Sequence, residues 1–183
     1  QFAVSITTVQ SAASASGIYL DAADAKAWRL RFNADGTVTI QKCTGGPGTY
    51  SGILDYYARG LAGLTPVPCT AFDTRPVPAN GAIYANQLVL LSGTVNGRAT
   101  VVSNQDMILE GPTNYVDGRD DTLGMIPKLG FLVAYYVRTN SPTSHFQWWG
   151  SVLVIDHPNT WGAKTVAGNG PSGLTQMTHR GSV

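Results

Sequence analysis

Apolar and polar residues alternate most cleanly between Ala27 and Cys43. Trp28, Leu30 and Phe32 share one phase against Arg29 and Arg31; Val38 and Ile40 repeat it against Thr37, Thr39 and Gln41. A period of two marks a half-buried strand. Between the runs, Asn33-Ala34-Asp35-Gly36 suits a type I turn followed by a glycine at positive φ, a three-residue hairpin loop with a bulge. That loop sets Phe32 opposite Val38 and Leu30 opposite Ile40. A two-residue loop would set Phe32 against Thr37 and mix the faces.

Upstream, Phe2, Val4 and Ile6 alternate, a small-residue run follows from Ser11 to Gly17, and Ile18-Tyr19-Leu20 closes the segment. The pattern predicts a strand, a flexible turn and a second short strand; a helix over Gln10 to Ser16 competes, because Ala and Gln favour it. Downstream, Ile53, Leu54, Tyr57, Leu61 and Leu64 are spaced for a short helix. Pro66, Pro68, Pro76 and Pro78 argue against regular structure after it. This stretch is the expected seam between an N-terminal hairpin and loop region, residues 1–80, and a second region, residues 81–183.

The second region has a different rhythm. Asn86-Gln87 and Asn104-Gln105 recur 18 residues apart, each just before an apolar triplet. Further apolar segments follow at Phe131-Leu-Val, at Gly150-Ser-Val-Leu-Val-Ile155 and at Gly181-Ser-Val183. The added length falls in polar runs such as 114–121 and 167–173. Short strands at a near-constant pitch, with insertions confined to turns, predict a short irregular parallel β-solenoid in an all-β chain. A β-sandwich with evenly spaced strands is the alternative. The last residues repeat the opening of the preceding coil, so the 183 residues are expected to be part of a longer protein.

Composition narrows the class. Only 13% of residues are charged against 43% hydrophobic, which is not a disordered composition. Gly (21) and Pro (10) supply turns, and Glu110 is the single glutamate, so long exposed helices have little to be built from. No apolar run is long enough to span a membrane. The two cysteines, Cys43 and Cys69, predict a disulfide formed in an oxidising compartment, unless they are two unrelated buried thiols. Closing that loop would stabilise by roughly 3 to 4 kcal/mol. The chain opens on Gln1 without Met, as a trimmed, exported protein would.

Catalytic patterns are weak. Gly170-Pro171-Ser172-Gly173 falls one residue short of a nucleophile elbow, and His145, His157 and His179 stand apart. Asp106, Arg98 and Asp156 lack a convergent partner for glycosidase-type chemistry. Asp117, Asp120 and Asp121 form a solvated loop or a calcium site without the EF-hand pattern. No other metal or cofactor site is expected, and the chain is expected not to be an enzyme.

Nucleic-acid binding is the sharper expectation. Arg29 and Arg31 share the polar face of the hairpin, and Arg98, Lys128 and Arg138 recur once per coil, a candidate stripe along a phosphate backbone. Tyr135, Tyr136, Trp148 and Trp149 are candidate stacking platforms, although strand alternation turns one of each adjacent pair inwards. A net charge of +1 adds no global attraction.

The runs Gly81-Ala-Ile-Tyr-Ala-Asn86, Leu91 to Gly111 and Asp121-Thr-Leu-Gly-Met-Ile126 resemble a bacterial pilus-associated domain. It is the β-solenoid inserted in long prepilin-like proteins of type IV pili, competence minor pilins among them. The resemblance covers about residues 18–156 and rests on structural motifs. It implies display at a pilus outside the cell, with other pilins of the tip as partners and extracellular DNA as a ligand during uptake. The competing expectation is an adhesive or polysaccharide-active β-helix of a surface or phage fibre.

Overall fold

The computed structural model describes residues 6–44, 53, 57, 67–134, 145–155 and 176–180. Among these there are one helix and thirteen strands. Helix α1 (Ile6–Ser16) precedes β1 (Ile18–Leu20), β2 (Ala27–Phe32), β3 (Thr37–Cys43) and β4 (Cys69–Pro76). Then come β5 (Ala82–Ala85), β6 (Leu88–Val95), β7 (Arg98–Ser103), β8 (Met107–Tyr115) and β9 (Thr122–Pro127). Last are β10 (Phe131–Val133), β11 (His145–Trp149), β12 (Ser151–Val152) and β13 (Gln176–Arg180).

The chain crosses repeatedly between two sheets. One has the order β1-β5-β7-β9-β12; the other runs β13-β11-β8-β6-β2-β3-β4, with β10 also on β8. All pairings are parallel except those of β3 with β2 and with β4. The apolar triplets stand in line. Val89, Leu90 and Leu91 pair with Met107, Ile108 and Leu109, which pair in turn with Phe131, Leu132 and Val133. In the first sheet Ile18, Ile83, Val101, Met125 and Val152 form one column.

These columns build the core. Alternation points Ile18, Ile83, Val101 and Met125 from one sheet against Trp28, Leu30, Val89, Leu91 and Leu109 from the other, all essentially inaccessible. Strand pairing crosses residue 80, since β1 pairs with β5 and β2 with β6. Between the sheets the corners repeat as well: the Gln105 side-chain amide donates to Gln87 Oε1 at 2.8 Å. The recurring Asn-Gln pair is thus a rung-to-rung amide contact.

The hairpin has the expected register, Phe32 with Val38 and Leu30 with Ile40. Asn33 N–H donates to Thr37 O at 2.9 Å, which leaves a three-residue loop with Gly36 at φ 82°. Cys43 and Cys69 form a disulfide between paired positions of β3 and β4.

Two expectations fail. Residues 6–16 are a helix, the competing reading over Gln10 to Ser16 extended by one turn, and not a strand and a flexible turn; Phe2 and Val4 lie outside the described residues. Val9 and Ala13, one helical turn apart, bury against Ala82, Tyr84, Val102 and Ile126 on the outer face of the first sheet. The apolar stripe is narrow and half alanine, so packing rather than periodicity makes this helix. The proline-rich stretch also holds regular structure, the eight-residue strand β4. An edge strand tolerates proline, and Pro76 closes it. In the expected helix of residues 53–64, Ile53 and Tyr57 are helical and buried; the rest lies outside the described residues.

Candidate ligand-binding site

Sheet alternation that buries Trp28, Leu30 and Phe32 turns Ala27, Arg29 and Arg31 to the opposite face. Along that face the surroundings change from apolar to polar. Ala27, Leu88, Leu90, Ile108 and Leu132 are covered by Ile53, Tyr57 and Val67. One step further, Arg29 and Arg31 of β2, Thr39 and Gln41 of β3, Ser92 of β6 and Glu110 of β8 line an open cavity of about 310 Å³, with Asn33 at its end.

An irregularity in β8 aims Glu110. Leu91 pairs with Leu109 but Gly93 pairs with Thr113, so Glu110, Gly111 and Pro112 together face Ser92. Glu110 Oε1 lies 2.6 Å from Arg29 Nε, with side-chain exposures of 10% and 23%. Arg29 also donates from Nη1 to Gln41 Oε1 and from Nη2 to the Tyr57 hydroxyl, each at 3.3 Å. Burial works against the guanidinium charge, but Glu110 and Tyr57 more than offset it, and the Arg29 pKa is raised. Arg29 is therefore a neutralised, positioned group. Asn33 Nδ2 donates to the hydroxyls of Thr37 and Thr39, both at 3.0 Å, which fixes the far wall. Arg31 is exposed.

Of the expected cationic stripe, the two described members, Arg98 and Lys128, are not neighbours. Arg98 opens β7 and donates to Asp120 O at 3.3 Å, whereas Lys128 follows the far end of β9. Because Arg98 pairs with Thr122 and Ser103 with Pro127, the two cations sit at opposite ends of adjacent strands. Arg138 lies outside the described residues, as do Tyr135 and Tyr136. Among the described candidates, Arg29 and Arg31 alone are brought together. Of the tryptophans, Trp148 is buried, as alternation predicts, and half-buried Trp149 packs on Tyr115 at 5.4 Å between ring centroids.

The aspartate loop has a structural task. Asp121 is 6% exposed, and its two oxygens accept the N–H groups of Gly97 and Asp117, each at 2.6 Å. Among the described residues no group of three His, Cys, Asp or Glu side chains is placed to hold a metal. Asp106 is buried at a corner; His145 and His179 lie in β11 and β13. Asp156, His157 and residues 170–173 lie outside the described residues.

Sequence reasoning missed Glu110 as a site residue. The sequence offered only a hint, a single glutamate directly after an apolar triplet; its phase with Arg29 comes from the pairing of β2, β6 and β8. No family model, curated protein or solved structure matches the chain.

Proposed function

We propose that the chain is a non-catalytic β-solenoid module of an exported, type IV pilus-associated protein, a rigid spacer that carries a binding face. The observation that carries this reading is the in-register parallel stacking of the triplets at 89–91, 107–109 and 131–133. Each rung buries its apolar side against its neighbours, so the stack sets length and stiffness. The Cys43–Cys69 disulfide favours an oxidising destination. No described helix is long and apolar enough to cross a membrane. The motif runs that resemble the pilus domain coincide with β5 to β9.

A DNA ligand has thinner support, since Glu110 compensates Arg29, and Arg98 and Lys128 sit at opposite ends of adjacent strands. The reading is tested by shearing surface appendages from cells that produce the full-length protein and probing the fraction with an antibody. Co-purification with pilin subunits is expected; retention in the cytosolic fraction overturns it. A gel shift with duplex DNA, compared with Arg29→Ala/Arg31→Ala, decides the DNA role separately: salt-sensitive retardation lost in the double variant supports it, and no retardation at low salt removes it.

A further inference from the structure

We infer that the cavity between β2, β3, β6 and β8 is a binding site for a carboxylated saccharide. The inference needs only the geometry of this face and stands whichever surface structure carries the module.

Three features select the ligand. First, the volume of about 310 Å³ matches the small end of ligand pockets and accommodates one or two sugar rings. Second, the charges are sorted. Glu110 neutralises Arg29 from 2.6 Å, so among the described residues the cavity keeps one uncompensated cation, exposed Arg31. A single guanidinium fits one planar carboxylate through two parallel N–H bonds. Third, the walls between these charges are hydroxyls and amides: Thr39, Ser92, Asn33 and Gln41. Groups of this kind donate and accept together, as the hydroxyls of a sugar do.

The same features disfavour the competing ligands. A duplex presents a phosphate charge about every 1.7 Å of axis and rewards several cations along a line. This cavity offers one. An apolar ligand would meet polar walls, because the apolar part of the face is already covered by Ile53, Tyr57 and Val67. Arg29 is a positioning residue here: tied to Glu110, Gln41 and Tyr57, it holds the cavity floor rigid. With Tyr57 buried, no lining side chain among the described residues is aromatic, so affinity for a short oligomer is modest, with Kd of about 1 mM.

The experiment is an NMR titration of the full chain with tri-galacturonate, with its methyl ester and with a short DNA duplex. Shift changes confined to amides of β2, β3, β6 and β8 are expected for the acid, and binding about tenfold weaker for the ester. Arg31→Gln removes an exposed side chain, so its fold persists; it is expected to lose about tenfold in affinity, and Arg31→Lys to recover part of it. Equal binding of ester and acid, no saturable binding of the acid, or an unchanged Arg31→Gln overturns the site. Tighter binding of the duplex than of the acid at the same amides also overturns it and returns the face to nucleic acid.

Discussion

Gly93 and Gly97 provide a controlled pair for testing how tightly the sheets are stacked. Both have positive φ, 107° and 110°, which L side chains rarely adopt. Alanine at either position therefore carries a similar backbone cost, about 1 to 2 kcal/mol. Their surroundings differ. A Cβ on Gly97 meets nothing within 4 Å, whereas one on Gly93 would stand 2.1 Å from Phe32 O and 2.8 Å from Phe32 N. Both contacts are backbone atoms of the paired strand β2, so no side-chain rotation relieves them. The strands must part by about 1 Å, at the expense of one or two ladder hydrogen bonds worth about 1 kcal/mol each. Gly97→Ala is thus expected to destabilise by about 1 to 2 kcal/mol and Gly93→Ala by about 2 to 4 kcal/mol. Urea unfolding of both variants measures the difference of about 1 to 2 kcal/mol directly, because the shared φ term cancels. Failure of Gly93→Ala alone to accumulate as folded protein is the same outcome in stronger form. Equal midpoints for the two variants would refute the close approach of β6 to β2.

Two further outcomes follow from the chemistry of the chain. The disulfide closes a separation of 26 residues, so Cys43→Ala/Cys69→Ala is expected to lose about 3 kcal/mol, seen as a lower urea midpoint that added reductant does not lower further. Burial holds the phenols of Tyr84 and Tyr115 above their ordinary pKa, helped at Tyr84 by the charges of Tyr19 and Asp21. A folded-state pKa raised above the unfolded one contributes stability that is intact below about pH 10 and is lost as pH rises through the folded value. Thermal melts are expected to fall in this alkaline range, and Tyr115→Phe to lessen the fall; a pH-independent melting temperature there contradicts the burial of these rings.

The legible parts of the fold are those in which one residue type can occupy one phase. Trp28 to Ile40 announced both strands and their register because a slip by one residue would turn apolar and basic side chains to the wrong medium. The triplets at 89–91 and 107–109 announced their alignment through the identical Asn-Gln corner before each. Helix α1 was obscured because Val9 and Ala13 gain their burial only from Tyr84 and its neighbours, residues distant in sequence. Strand β4 was obscured because its edge position, which excuses Pro76, is a property of the sheet. At the candidate site, the phase of Arg29 and Arg31 was visible. Its partner Glu110 depends on two extra residues in β8, and no local pattern encodes that detour. Asp121 misled in the opposite sense: an acidic cluster suggests solvent or a cation, yet its carboxylate closes a turn through two backbone N–H groups.

The antiparallel addition of β3 and β4 gives one border of the larger sheet a terminus unlike the rest of the ladder. Any strand joining the sheet there has to pair with β4, where the Asp73–Arg75 ion pair at 2.6 Å projects charge and Pro76 withholds an N–H. Such features discourage edge-to-edge polymerisation. Among the described strands β4 ends that sheet, so the β3–β4 pair, pinned by its disulfide, acts as a stopper: copies of this chain crowded side by side are kept from knitting together through that border.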